Sequence, residues 1–333
     1  MRKTSAARML NRASELIRES SSFYIASHIR PDGDAIGSLL GMALALQNSG
    51  RRVAALLADP VPPNYRFLPR ADRIRHRPPD WRADVGIVVD CDGLSRIGAL
   101  EPAFSSLPHL IDIDHHQTDR LFGEVQIIEP GAAATGEMVY HLLRRLDLPV
   151  DAEIATCLYA AILTDTGRFC FGNTTASALR VAAELVKAGA QPQPIARRIY
   201  EKRSVAATHL LGVALSRLSS ELDGQVVAST LTRQDFLETG AATTDTEGII
   251  DHLRAIGGPR VALLFVQPDH NGVRVSLRSD GSVDVSEIAL RFGGGGHAMA
   301  AGCTIPGTVE QVRKRVLDSL AGALLPAETG RDA

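Results

Sequence analysis

Short apolar runs separated by helical periods constrain this chain more than any other feature. SSFYIAS, RRVAALLAD, ADVGIVVD, HLIDID and EVQIIEP read as strands, most of them nearly continuous in aliphatic residues. Helical stretches lie between or after them. AIGSLLGMALALQNSG has Ile36, Leu39, Leu40, Ala43 and Leu44 at helical spacing, with Gly50 as its stop. Others fall near 94–104, 134–146, 151–164 and 174–188. Strands that are apolar on both sides need cover on both sides. The alternation therefore predicts an α/β fold with a parallel sheet between helical layers.

That rhythm stops at KAGAQPQPIARRIYEKRS, where Gly189, Pro192 and Pro194 break the pattern. Beyond it QVVASTL, RVALLFVQ and VRVSLRS read as strands, with Asn271-Gly272 as a hairpin turn. TEGIIDHLRAI and the stretches near 284–292 and 309–324 read as helices. The expected organisation is a catalytic domain over 1–188, a helical linker over 189–216 and a smaller α/β domain with a mixed sheet over 217–328. A length of 333 residues suits two domains.

Composition narrows the function. The chain is 45% apolar and 22% charged, with a net charge of −2. Proteins that grip long nucleic acid are usually basic, so extended duplex is not the expected partner. The four cysteines, Cys91, Cys157, Cys170 and Cys303, form no C-x-x-C pair. No signal-peptide core and no membrane-length apolar run appears, which predicts a cytoplasmic protein without a membrane partner. A homodimer is a common arrangement for such a chain.

Four segments place acids or imidazoles at element ends: His28, Asp32 and Asp34 in SHIRPDGDAIGS; Asp90 and Asp92 in VVDCD; Asp114, His115 and His116 in DHH; and Asp165 in LTDTG. Taken singly, each aspartate reads as a turn residue or a helix cap. Taken together, they fall where a parallel sheet brings strand ends to one edge. Several carboxylates and imidazoles at one spot need cations to neutralise them. Hard oxygens with imidazole and no thiolate suit manganese or magnesium. Paired divalent ions of this kind serve phosphate-ester hydrolysis. Asp112, between Ile111 and Ile113, has no evident task.

In their order and spacing, HIRPDGDAIGS, VVDCD, DHH and LTDTGRFCFGNTT resemble the four motifs of the DHH phosphoesterase superfamily. FGGGGHAMAAG at 292–302 is similar to the glycine-rich signature of its associated second domain, and the match runs over about residues 20–305. The compact bacterial branch, RecJ-like oligoribonucleases that also cleave 3′-phosphoadenosine 5′-phosphate (pAp), fits best. The resemblance implies a parallel-sheet catalytic domain, a helical linker and a substrate-clamping domain. It implies two divalent cations, manganese first and magnesium as the alternative. His28 and Asp32 would hold one; Asp34, His115 and Asp165 the other; Asp90 would bridge them, together with a nucleophilic water. His116 would serve the scissile phosphate, Asp114 would orient an imidazole, and Asp92 lies one step past the matching position. Arg96 would reach a phosphate.

In the second domain, glycines 293–296 before a helix-like segment let backbone N–H groups approach an anion, with Gly294, Gly295, Gly296 and His297 as contacts. Period-two spacing puts Arg274, Ser276 and Arg278 on one strand face, and the fork of Arg278 matches a terminal phosphate. The expected activity is hydrolysis of short 5′-phosphorylated oligoribonucleotides to mononucleotides and of pAp to AMP. The alternatives are a cyclic-di-AMP or pApA phosphodiesterase and a non-catalytic nucleotide-binding regulator.

Overall fold

The computed structural model describes residues 2–117, 120–201, 204–269 and 272–324. The chain forms two compact units, Met1–Lys202 and Arg203–Ala333. Asn271 of the Asn271-Gly272 turn and residues 325–328 of the expected second domain lie outside the described residues.

The first unit contains α1 (Arg2–Glu19), β1 (Ser22–Ala26), α2 (Gly33–Asn48), β2 (Arg52–Leu56), β3 (Val85–Val89), α3 (Glu101–Ser105), β4 (His109–Asp114), β5 (Val125–Ile128), α4 (Thr135–Arg145), α5 (Ala152–Asp165), α6 (Ala176–Lys187) and α7 (Pro192–Tyr200). Its five strands are all parallel, in the order β2-β1-β3-β4-β5. Phe23, Ile25, Ile87, Val89, Ile111 and Ile113 face one core, while Tyr24, Ala26, Leu56 and Val88 face another. Both faces are dry, which explains the continuous apolar runs. The chain reverses its winding between β1 and β3, so a crevice opens at their carboxyl ends.

α2 and α5 pack closely through Gly33, Gly37 and Gly41, spaced four apart on α2. A Cβ on Gly37 would run into the Cys157 carbonyl and lie 2.8 Å from Ala161 Cβ. The first turn of α2 thereby meets the last turn of α5.

The second unit contains α8 (Val205–Ser216), β6 (Ser219–Glu221), β7 (Val226–Thr232), α9 (Arg233–Thr239), α10 (Ile249–Arg254), β8 (Val261–Gln267), β9 (Val273–Ser279), α11 (Val285–Arg291), β10 (Gly295–His297), β11 (Ala300–Ile305) and α12 (Val309–Leu324). Its sheet order is β10-β11-β9-β8-β7-β6, with β7–β8 parallel and the other pairs antiparallel. Within the predicted linker, α7 packs Ile195 and Ile199 into the first unit's core, and α8 packs Leu210 and Ala214 into a core of the second.

Three helix expectations need correction. The 94–104 helix is a 3-10 stretch, Leu94–Leu100, kinked at Gly98, followed by short α3. TEGIIDHLRAI breaks at Gly248, which has φ 75°, between a 3-10 turn and α10. No helix follows GGGGH: the segment is the β10–β11 hairpin. The glycines serve that hairpin. Gly296 has φ 137°, and a Cβ there would lie 2.5 Å from the Ala300 carbonyl oxygen. The helix-terminus argument for anion binding therefore lapses.

Candidate metal centre

The four motifs meet at the β1/β3 crevice. His28 follows β1, Asp90 follows β3, and His115 and His116 follow β4. Asp32 caps α2, Asp34 sits in its first turn, and Asp165 ends α5. Two triads have their ligand atoms within 4.8 Å of one another: His28, Asp32 and Asp90, and Asp34, His115 and Asp165. Asp90 lies between the two imidazoles. Its Oδ2 is 3.6 Å from His28 Nε2, and its Oδ1 is 3.6 Å from His115 Nε2. Asp165 Oδ2 and Asp34 Oδ2 approach His115 Nε2 at 3.6 and 3.8 Å. His28 Nε2 is 4.0 Å from Asp32 Oδ1.

Backbone carbonyls fix the rings. His28 Nδ1 donates to the Ile29 carbonyl at 2.8 Å, and His115 Nδ1 donates to that of Ala132 at 3.3 Å. Each ring thus keeps its Nε2 for the carboxylates, as ligand imidazoles require. His116 differs. Its Nδ1 donates to Asp114 Oδ1 at 2.7 Å, and its backbone N–H bonds the same oxygen at 3.1 Å. His116 also falls in a third triad with Asp90 and His115, but the nitrogen nearest Asp90 is the one engaged by Asp114.

Several supports were not foreseen from sequence. Asp34 accepts from the Thr135 and Gly136 amides at 2.6 and 2.9 Å and from the Ser38 hydroxyl at 2.8 Å. These amides open α4, whose N-cap is Ala134 and offers no side-chain acceptor. Thr135 Oγ1 donates to Asp90 Oδ1 at 3.1 Å. Asn173 Nδ2 donates to the Ala133 and Asp165 carbonyls at 3.0 and 3.1 Å, and to Asp165 Oδ2 at 3.4 Å. The available signal was ATGEMV, a helix start with no capping residue before it. Asp90 has φ 56°, a left-handed conformation that aspartate adopts more readily than most residues and that turns the chain at the strand end.

The charges are unbalanced. Burial, then the charge of Asp90, pushes Asp34 well above the usual carboxylate range. Burial, with Asp90 and Asp32, pushes Asp165 up to about 7 against the pull of His115. Burial opposes charging of His28, but the hydrogen bond and charge of Asp90 prevail and raise it to about 9. The same contest at His116, won by Asp114 and Asp90, raises it to about 10. Burial works against ionised Asp90 too, yet contacts from His28, His116 and His115 hold it below the usual range. Clustered buried carboxylates that draw protons onto themselves and their imidazoles fit a site built for cations. The oxygen and imidazole donors fit hard divalent ions.

Asp92 takes no part in either triad. Its Oδ1 lies 3.4 Å from Arg96 Nε, an ion-pair distance, although that nitrogen is buried without a hydrogen bond. Asp112 is fully buried in β4 with neither oxygen hydrogen-bonded, and burial plus Asp114 raises it to about 8.

The other predicted contacts lie in the second unit. Register joins them into rows on one sheet face. Arg278 pairs with Ala300, which pairs with His297; Ser276 pairs with Gly302, which pairs with Gly295. The small residues between them leave that face open. Gly294 packs against Gly302 and Cys303, so its lack of a side chain is a packing need.

Residues 22–162 match the DHH family, N-terminal domain, and 211–324 match the DHHA1 domain. The bifunctional oligoribonuclease and PAP phosphatase NrnA of Thermus thermophilus is 38% identical, over 91% of this chain and 90% of that one. This chain belongs to the DHH family. The DHH protein of the same name from Bacillus subtilis is 28% identical, over 87% of this chain and 92% of its own. An exopolyphosphatase-related protein from Bacteroides fragilis superposes with TM-score 0.88 at 26% identity, over 95% of this chain and 97% of that one.

Proposed function

We propose that this DHH protein is a metal-dependent phosphoesterase that hydrolyses short 5′-phosphorylated oligoribonucleotides to mononucleotides and pAp to AMP. Manganese is the first-choice cation and magnesium the alternative. Residues 1–188 act as the catalytic domain and 217–328 as the substrate-binding domain, with 189–216 between them. The observation that carries the reading is Asp90, whose two oxygens each lie 3.6 Å from a different imidazole. Relatives that carry the oligoribonuclease and PAP phosphatase name, and are matched over 90% and 92% of their length, support the substrate class. A net charge of −2 suits a ligand with few phosphates.

His28 and Asp32 would hold one cation, Asp34, His115 and Asp165 the other, and Asp90 both. Bound there, the cations supply a water of lowered pKa and neutralise charge on the attacking and leaving oxygens. The chain's own groups do the rest. Thr135 holds Asp90, and Asn173 holds Asp165, in their side-chain orientations. His116, anchored by Asp114 through Nδ1, would serve the scissile phosphate, where it stabilises negative charge and protonates the leaving ribose oxygen. Arg278, Ser276, Gly295 and His297 grip the far phosphate and base.

Release of AMP from pAp with added manganese, lost in Asp90→Ala, is the expected result. A panel of pApA, cyclic-di-AMP and RNA of two to about ten nucleotides ranks substrates for a small site. No turnover of any of them with manganese or magnesium would refute the enzyme and leave a nucleotide-binding protein.

A further inference from the structure

Positive charge is concentrated along one edge of the first unit's sheet. Between residues 66 and 82 six arginines stand against two aspartates, in a chain whose net charge is −2. Three of the six are engaged. Arg66 Nε donates to the Val61 carbonyl at 3.0 Å, Arg70 Nε lies 3.4 Å from Glu153 Oε2, and Arg82 donates to the Ser106 carbonyl. The side chains of Arg73, Arg75 and Arg77 are exposed and make no hydrogen bond or ion pair among the described residues.

The backbone ties this segment to the metal centre. Ile74 leaves the short turn Ala71–Arg73 in extended conformation, and its side chain is buried in the first unit's core. Arg75 then runs parallel to the edge strand β2. Its N–H donates to the Ala55 carbonyl at 2.9 Å, and the Leu57 N–H donates to its own carbonyl at 3.0 Å. Register reads across the sheet from there. Arg75 pairs with Leu56, Leu56 with Ala26 and Ala26 with Val88. Two residues beyond Ala26 and Val88 stand His28 and Asp90. Two strand spacings, about 10 Å, separate Arg75 from β1.

Toward the amino end of β2 the same edge opens on a cavity of about 200 Å³. Arg70, Arg73 and Arg75 line it, over an apolar floor of Leu40 and Leu44 from α2 and Ala55 from β2. No carboxylate lines it among the described residues. The α2 residues of the lining, Leu40 to Gln47, follow Asp34 on the helix, so the cavity lies about 9–20 Å from that ligand along the axis. Its volume is below the range usual for sites that enclose a small ligand, about 300–1,000 Å³.

We propose that Arg73 and Arg75 form a backbone track for single-stranded RNA, holding phosphates of nucleotides beyond the one at the metal centre along the β2 edge of the first unit. The inference deepens the proposed function and rests on it for RNA as the ligand. A shallow groove edged by guanidinium groups suits a chain that passes over it, because a single strand is followed through its charged backbone and needs no enclosing pocket. At about 3.4 Å per stacked nucleotide step, seven nucleotides reach about 20 Å and two do not.

The test is binding of 5′-phosphorylated oligoadenylates of seven and of two nucleotides to the full chain, between 50 and 200 mM NaCl. EDTA is present, so that neither cations nor turnover enter. Wild type should bind the longer RNA more tightly and with the steeper salt dependence. Each phosphate contact on a single strand adds about 0.7 to the slope of log affinity against log salt, so two add about 1.4, roughly a sevenfold fall over this fourfold range. Arg73→Gln with Arg75→Gln should weaken the longer RNA at 50 mM and remove that sevenfold fall, while the dinucleotide binds as in wild type. Arg73→Lys with Arg75→Lys should keep the slope, since lysine keeps the charge. Arg180→Gln, exposed on α6, controls for lost surface charge and should change neither RNA. Unchanged affinity and slope in the glutamine variant overturn the track and leave the arginines as guards of a sheet edge. Equal binding of the two RNAs by wild type overturns it as well, and so does parallel loss of both RNAs in the glutamine and lysine variants. Failure of the phosphoesterase reading shows separately, as no AMP release from pAp at saturating manganese. Arginine-dependent binding of the longer RNA in that case keeps the track and refutes only the reaction.

Discussion

Gly37→Ala should damage the metal centre from inside the helix packing. The added Cβ would meet the Cys157 carbonyl, with Ala161 Cβ at 2.8 Å and Ala161 N at 3.0 Å. Carbon atoms prefer about 3.5–4.0 Å, so α2 and α5 must part by roughly half an ångström or more. Such overpacking costs about 1–3 kcal/mol. Alanine returns up to about 1 kcal/mol of helix propensity, leaving a net loss of up to about 2 kcal/mol when that return is complete. For a unit of this size that is a fall in Tm of up to about 8 °C. The displaced helices carry Asp34 and Asp165, and misplacement of about 1 Å can cost about 100-fold in rate. Thermal melts and pAp turnover with manganese measure both effects. Gly212→Ala is the control: it lies in α8 with nothing within 4 Å of the new Cβ, and it should hold or raise Tm. A Gly37→Ala protein that melts like wild type and turns over normally would refute the reasoning.

Two further outcomes are expected. His115→Ala should weaken manganese binding, whereas His116→Ala should keep the metal and lose about 100- to 10,000-fold in turnover, as loss of a general acid does; equal loss of metal in both would erase the division of roles. Asp112 titrates near 8 in the fold but near 3.9 unfolded, so the folded state binds the extra proton between those values and stability falls as pH rises through that window. Asp112→Asn should remove that component, so its Tm should gain on wild type between pH 5 and 8; parallel Tm curves would contradict it.

Much of this was legible because the signals were side chains in a regular rhythm. The apolar strands specify a sheet covered on both faces, and the polar residues that end them fall at one edge by topology. HLIDID shows the limit. Sequence marks Asp114 and the two histidines, but only the fold shows Asp114 spending Oδ1 on His116 and leaving His115 to Ala132. The Thr135 and Gly136 amides that hold Asp34 carry no residue signature, since every non-proline residue offers the same donor. GGGGH misled for a related reason. Glycine has no side chain to alternate, so a hairpin and a loop before a helix look alike until β11 is seen beside it. The glycine spacing on α2 was visible, but its meaning depended on knowing that α5 packs there.

The number of manganese ions bound per chain tests the account most directly, measured by calorimetry or electron paramagnetic resonance on wild type and Asp90→Ala. Two ions per wild-type chain, with both sites weakened by the single substitution, is the predicted result. A single ion, or two ions bound equally well without Asp90, would contradict a centre organised around that carboxylate.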